Sequence, residues 1–244
     1  SMMILDGSKE FEDHYRTRVC KVLSKYLDFS ELLEGIDDTR ERQKIILEEF
    51  QIYTNPSYIY LKGNIEIQLE NGQRIRIGDA PIALSSELIQ KMNAIRVGAD
   101  KVVTVENLTS FHRLKDEKCA YLFLAGYHNS AKQAFLKQVY KENPEKQWFH
   151  FGDLDPDGIG IADRLWQRFG NRIQFFGMSP EDYRNSLSKE VFGENGRKKL
   201  EHIWHPLLRE TAELVRKTGK AGYQENVLKE LSEKLVGCDQ NQNL

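Results

Sequence analysis

The sequence has no long apolar run, few cysteines and no strong excess of charge of one sign. A transmembrane helix needs about 20 mainly apolar residues, and no segment provides them. The amino end turns polar after a few residues, so we expect no signal peptide. Cys20, Cys119 and Cys238 are isolated, with neither metal-ligand spacing nor an even-numbered disulfide framework. This pattern predicts a cytoplasmic protein without a membrane partner.

The overall charge and composition limit the function classes further. A net charge of −2 over 244 residues argues against a generally basic nucleic-acid-binding surface, although local basic patches stay open. With 40% apolar and 30% charged residues, the chain has an ordinary globular composition. It is long enough for one large or two small domains.

The first 80 residues combine helical and strand patterns. Apolar side chains recur at helical spacing over 8–27 and 39–51, whereas 58–78 alternates apolar and polar residues about a turn at Asn71-Gly72. A three-residue loop with Gly72 in the left-handed region keeps the two hairpin faces apart and predicts the pairs Ile65–Ile77, Glu66–Arg76 and Ile67–Ile75. We predict an N-terminal helical and β-hairpin module over 1–80, for which winged-helix-like and generic α+β packing fit equally well.

The remaining residues, 81–244, have an α/β pattern. Continuous apolar segments alternate with helical stretches, which is typical of parallel strands covered on both faces. The expected strands are 101–106, 119–126, 147–153 and 171–177. From residue 180 onward the chain reads as helical and charged. We therefore predict an α/β fold, with a mainly parallel sheet flanked by helices and with C-terminal helices.

The stretch "FHFGDLDPDGIGIADRL", residues 149–165, places three aspartates at alternate positions, Asp153, Asp155 and Asp157. Like charges about 4 Å apart repel by roughly 4 kcal/mol at an effective dielectric constant near 20. A bound cation, raised pKa values or side chains that point apart into water would each relieve this repulsion.

Glu106 ends one predicted strand, and Asp153 and Asp155 end another. The carboxyl ends of parallel strands meet at one sheet edge, so on neighbouring strands these carboxylates would converge on a cation such as Mg²⁺. The alternative is that the aspartates simply begin a helix, whose amino end favours negative charge. Spacing alone leaves both interpretations open.

Two other known motifs share part of this aspartate pattern. An EF-hand calcium loop needs a bidentate Glu at its twelfth position, where this chain has Arg164, so that interpretation fails. A phosphatase of the haloacid dehalogenase type also has Asp-x-Asp after a strand, but normally has Thr or Val at the position of Asp157. It remains the weaker enzyme alternative.

"KVVTVENLTSF", followed about forty residues later by "FHFGDLDPDGIGIADRL", resembles the Toprim domain of the topoisomerase VI A subunit and its relatives. The resemblance is closest to the JetD-like subunits of the Wadjet plasmid-defence system. It implies a Toprim domain over 81–244 with a C-terminal helical extension. It also implies that Glu106, Asp153 and Asp155 bind divalent metal and act on DNA phosphodiesters. Asp157, in the looser Gly-x-x-Ile continuation of the motif, is included as a metal ligand.

The resemblance implies a Mg²⁺- or Mn²⁺-dependent DNA endonuclease, a hydrolase whose partners are double-stranded DNA, a second copy of the chain and condensin-like Wadjet subunits. The alternative is a noncatalytic Toprim-like subunit that dimerises or docks in a DNA-processing assembly. JetD-like chains carry Glu-Gln-Glu near the carboxyl end, where this sequence has Tyr223-Gln224-Glu225. The chain is also shorter than a complete JetD-like protein.

The resemblance leaves two possible mechanisms. Topoisomerase VI A cuts with a tyrosine nucleophile, whereas the JetD-like members look like metal-dependent nucleases without that tyrosine. Tyr53, Tyr58 and Tyr60 are candidates by position, but the last two alternate on a predicted strand and suit packing, so we expect activated water instead. Two interpretations are open for four basic residues: they contact phosphate, or they lie on a solvated helix face. These residues are Arg113, Lys115, Lys132 and Lys137.

Overall fold

The computed structural model describes residues 10–33, 39–50, 52, 58–124, 130–223 and 225. The chain divides into two compact units, Ser1–Pro56 and Ser57–Leu244. The sequence had placed the boundary at residue 80. The difference arises because the strand that begins at Tyr58 pairs with two strands of the second unit, so the hairpin region folds with that unit.

The described part of the first unit is helical. A π-helical turn over Phe11–Tyr15 leads into α1 (Arg16–Tyr26), and α2 (Thr39–Glu49) follows. These elements lie where the sequence predicted helices. Their apolar faces share a small cluster of buried side chains, namely Cys20, Leu33, Ile46 and Leu47.

The second unit contains the remaining described elements. Its strands are β1 (Tyr58–Lys62), β2 (Ile65–Leu69), β3 (Arg74–Ile77), β4 (Ile82–Ser85), β5 (Met92–Val97), β6 (Lys101–Val105), β7 (Cys119–Phe123), β8 (Gln147–Phe151), β9 (Ile173–Phe175), β10 (Leu187–Val191) and β11 (Lys220–Gly222). Its helices are α3 (Ser86–Gln90), α4 (Leu108–Arg113), α5 (Ser130–Glu142), α6 (Pro156–Phe169), α7 (Pro180–Ser186), α8 (Glu194–Lys199) and α9 (Pro206–Thr218).

A six-stranded sheet with the order β4-β1-β7-β6-β8-β9 forms the centre of this unit. The neighbours β7, β6, β8 and β9 run parallel to one another, and β1 pairs antiparallel with β4 and β7. Every residue of β6 and β7 is buried, as expected for strands covered on both faces. The predicted α/β fold with a mainly parallel sheet and flanking helices is confirmed.

The β2–β3 hairpin has the predicted register, with Ile65 opposite Ile77 and Ile67 opposite Ile75. Gly72 lies in the left-handed region with φ of 82°, which a side chain would disfavour. Because β2 also pairs with β5, the hairpin is part of a separate three-stranded sheet. Asn143 joins this sheet to the end of α5, since its Oδ1 accepts a hydrogen bond of 2.8 Å from the backbone of Val97. The winged-helix-like arrangement stays a prediction.

The region after residue 180 is only partly helical. It contains α7, α8 and α9, as predicted, but also the antiparallel pair β10–β11, which the sequence did not predict. The part of this helical pattern after residue 222 lies outside the described residues, apart from Tyr223 and Glu225. No helix in the described ranges is both long and apolar enough to cross a membrane.

Candidate active site

The central strands β6 and β8 bring the predicted acidic residues to one edge of the sheet. Val105 and Phe151, the last residues of these strands, lie opposite each other in parallel register. The next residue, Glu106, donates its backbone N–H to the Phe151 carbonyl at 3.1 Å. Glu106 is thereby held beside the chain that continues from Phe151 into the Asp-x-Asp segment.

Asp155 begins α6 as its N-cap residue. One of its carboxylate oxygens accepts hydrogen bonds from the backbone N–H groups of Asp157, at 2.9 Å, and Gly158, at 2.7 Å. Pro156 occupies the first turn of the helix, where its missing N–H costs nothing. The helix-start interpretation of the aspartates therefore holds for Asp155, although its second oxygen is not used by the cap.

The carboxyl group of Glu106 is in an unfavourable place for a negative charge. Burial raises its pKa from 4.5 to about 8, and the nearby charges of Asp155 and Asp153 add to the increase. A hydrogen bond from the Asp153 backbone opposes it only in part. Asp153 and Asp155 therefore both lie close enough to Glu106 to disfavour its negative charge.

Two glycines bring the main chain against Glu106. A Cβ atom on Gly152 or on Gly158 would lie 3.0 Å from Glu106 Oε2, which is tighter than ordinary contact. Glu106 Oε2 is buried and has no hydrogen-bond partner among the described residues. Buried acceptors without a partner are rare in folded proteins and often mark functional atoms.

Asp155 is also disfavoured as an anion in this site. Burial raises its pKa, and the charges of Asp157 and Glu190 act in the same direction, while its two helix-capping hydrogen bonds lower it. Asp157 is exposed, and its Oδ1 accepts a hydrogen bond of 2.6 Å from Lys199 Nζ. A lysine of α8 therefore compensates the charge of the third aspartate.

His150, on β8, is fully buried. Its Nδ1 lies 2.9 Å from the hydroxyl oxygen of Thr104, on β6. Burial lowers the pKa of His150 to about 3, so the ring is neutral. Its Nε2 has no hydrogen-bond partner within the described part of the chain, and it would lie 2.8 Å from a Cβ on Gly152.

Comparison with known proteins gives a family and a relative. Residues 82–235 match the family model described as "Protein of unknown function C-terminus (DUF2399)". This match covers more than half of the chain. The chain belongs to the DUF2399 family. It is also 26% identical over 225 residues to the Wadjet protein JetD of Bacillus cereus (strain Q1), which confirms the predicted resemblance to JetD.

The alignment with JetD covers 86% of this DUF2399 chain but 53% of the relative. The chain thus spans about half the length of the curated relative that it matches. The matched family region includes all four predicted acidic residues, from Glu106 to Asp157.

Two residues of the DUF2399 chain, Glu190 and Tyr223, lie near the site although the sequence pattern did not predict this. Glu190, on β10, adds to the raised pKa of Asp155, and it accepts a hydrogen bond from the hydroxyl of Tyr223. The reason for their position is that Leu154 exchanges backbone hydrogen bonds of 2.8 and 3.0 Å with Gly222. The alternation of apolar residues in β10 is too weak to predict this strand.

The donor set suits a hard divalent cation, because it consists of carboxylate oxygens that are partly withdrawn from water. Glu106, Asp153 and Asp155 would hold such an ion, and its charge would offset their repulsion. In the described residues, no three His, Cys, Asp or Glu side chains are already arranged as a metal cluster. Binding would therefore require these side chains to turn toward the ion.

Other predicted residues lie in less suggestive places. The Lys132 ammonium is buried and donates to the Leu124 carbonyl at 2.8 Å, which indicates a structural role rather than a phosphate contact. Tyr58 and Tyr60 lie on the exposed face of β1. Tyr53 lies outside the described residues, and Glu225 is exposed.

Proposed function

We propose that this chain is the nuclease subunit of a Wadjet-like plasmid-defence system and cleaves double-stranded DNA with Mg²⁺ or Mn²⁺. The observation that carries the proposal is the position of Glu106 against the Asp-x-Asp segment, at the carboxyl edge of two neighbouring parallel strands. Ligands and catalytic groups of open parallel sheets gather at this edge. The similarity to the Wadjet protein JetD supports the biological setting.

In this proposal the carboxylates bind and orient. Asp153 and Asp155 would hold the divalent cation, and Glu106 would be either a third ligand or the general base that removes a proton from the attacking water. A bound divalent cation would polarise the scissile phosphate and acidify nearby water. The proposed partners are double-stranded DNA, a second copy of the chain and condensin-like Wadjet subunits.

The test is nicking or linearisation of circular plasmid with Mg²⁺ or Mn²⁺, with partner subunits added where they are needed. Asp155→Asn should abolish metal-dependent cleavage, because it removes a charged ligand while keeping the size of the side chain. Asp100→Asn is the matched control, since Asp100 is exposed and immediately precedes β6, at the opposite edge of the sheet. Full activity of Asp155→Asn would refute the proposal.

A noncatalytic DUF2399 subunit is the second candidate function. It is favoured by the capping role of Asp155 and by the lack of a ready-made metal cluster among the described residues. Thermal melting separates the two candidates, because an ion that binds only the folded state raises the melting temperature by mass action. No shift with either Mg²⁺ or Mn²⁺ would favour the noncatalytic subunit.

A further inference from the structure

Two buried polar atoms without partners face the same glycine. Glu106 Oε2 and His150 Nε2 both lack hydrogen-bond partners among the described residues. They would lie 3.0 and 2.8 Å from a Cβ on Gly152, so they are no farther apart than the sum of these two distances. A buried donor or acceptor without a partner is unfavourable, and a hydrogen bond between these two atoms would satisfy both.

The tautomer of His150 decides whether they do so. The neutral ring carries one hydrogen, on Nδ1 or on Nε2. With the hydrogen on Nδ1, the lone pair of Nε2 would face Glu106 Oε2, and two buried acceptors would oppose each other whenever the Glu106 carboxyl group is ionised. With the hydrogen on Nε2, a donor faces an acceptor.

Thr104 is placed to select the tautomer. Its hydroxyl oxygen lies 2.9 Å from His150 Nδ1 and 3.1 Å from the carbonyl oxygen of Phe149. The hydroxyl has one hydrogen and can donate it to either acceptor. If it donates to His150 Nδ1, the ring hydrogen must be on Nε2. Phe149 belongs to β8, which is paired on both sides, so its carbonyl has the sheet as another source of donors.

We propose that His150 is a positioning residue for Glu106, donating a hydrogen bond from Nε2–H to Oε2, with Thr104 selecting this tautomer. The hydrogen bond requires the Glu106 side chain to turn toward His150. It fixes Oε2, whereas the Asp153 backbone already donates a hydrogen bond to the same carboxyl group. The consequence for cation binding rests on the proposed function, whereas the hydrogen bond itself does not.

The hydrogen bond is tested by NMR of the full chain with nitrogen-15-labelled histidines. The signals that disappear in His150→Phe belong to the His150 ring. We expect the Nε2–H tautomer at pH 9, above the Glu106 pKa of about 8, and we expect its Nε2 shift to change in Glu106→Ala. An Nδ1–H tautomer, or an Nε2 shift that is unaffected by Glu106→Ala, would overturn the inference.

The role of Thr104 is tested with a matched pair of variants that does not require His150 to be replaced. Thr104→Val removes the hydroxyl and should allow a mixture of tautomers. Thr104→Ser keeps the hydroxyl and should retain the wild-type NMR pattern. Equal tautomer populations in Thr104→Val and Thr104→Ser would contradict the assignment of Thr104.

The functional consequence is measured as divalent-ion affinity by titration calorimetry. Groups that hold a metal ligand in place typically contribute 10- to 100-fold in affinity, so His150→Phe should weaken Mn²⁺ binding by roughly 10-fold or more. Thr104→Val should weaken it less, because part of the population keeps the Nε2–H tautomer. Loss of affinity in Glu106→Gln but not in His150→Phe would refute the positioning role. Unchanged affinity in Glu106→Gln would instead refute the proposed cation site, and the NMR result would still decide the hydrogen bond.

Discussion

Replacing Glu106 by Gln should stabilise the metal-free protein, and more so as the pH rises. The folded state holds the pKa of Glu106 at about 8, compared with an ordinary value of 4.5. Below pH 4.5 the carboxyl group is neutral in both the folded and the unfolded state. Between these two values the unfolded chain releases a proton that the folded chain keeps, so the free energy of unfolding of the wild type falls as the pH rises. It levels off above pH 8.

The magnitude follows from the difference between the two pKa values. At about 1.4 kcal/mol for each pH unit, this difference corresponds to roughly 5 kcal/mol as an upper limit. Partial solvent access and adjustment of the side chain reduce it, so we expect Glu106→Gln to be about 2–4 kcal/mol more stable than the wild type at pH 8.5. At pH 5 the two proteins should be nearly equal. Glutamine cannot ionise, so its unfolding curve lacks this pH dependence.

The assay is urea unfolding between pH 5 and pH 8.5 in the presence of a chelator. The three tryptophans, Trp148, Trp166 and Trp204, all belong to the second unit, so their fluorescence follows the part of the chain that contains Glu106. Glu117→Gln is the matched control, because Glu117 is exposed and lies just before β7, at the other edge of the sheet. A stability difference that is the same at pH 5 and pH 8.5, or a less stable Glu106→Gln at pH 8.5, would refute the reasoning.

Two further predictions concern the glycines and the tyrosines. Gly158→Ala should destabilise the fold by about 1–3 kcal/mol in thermal melting, because its Cβ would clash with the Asp153 backbone oxygen. Gly160→Ala, on the same helix, meets only the end of a flexible arginine side chain at 3.4 Å and should be neutral or stabilising by up to about 1 kcal/mol; equal losses in both would contradict the clash. Tyr58→Phe and Tyr60→Phe should each retain plasmid cleavage if water is the nucleophile, and a covalent protein–DNA adduct lost in either variant would indicate a topoisomerase-like mechanism instead.

The acidic site was only partly predictable from the sequence. Because parallel strands bury both faces, β6 and β8 were visible as apolar segments, and the acidic residues that follow them were expected at one sheet edge. The register of the β2–β3 hairpin was predictable for a similar reason, since only one pairing keeps Ile67 and Ile75 on the same face. Both inferences use local periodicity.

The rest depended on contacts between segments far apart in the chain. Glu190 lies near Asp155 because β10 and β11 pair with each other and Leu154 pairs with Gly222. These short strands have no apolar periodicity from which they could be predicted.

The sequence by itself thus determined the strand pattern, the hairpin register and the order in which the acidic residues appear, because these follow from spacing along the chain. Only the tertiary structure decided that Glu106 is buried beside Asp153 and Asp155, that Lys199 compensates Asp157, and that His150 faces Gly152. Burial and electrostatic coupling depend on which segments pack together in space. For this reason a pKa of about 8 for Glu106 could not be predicted from the amino-acid sequence alone.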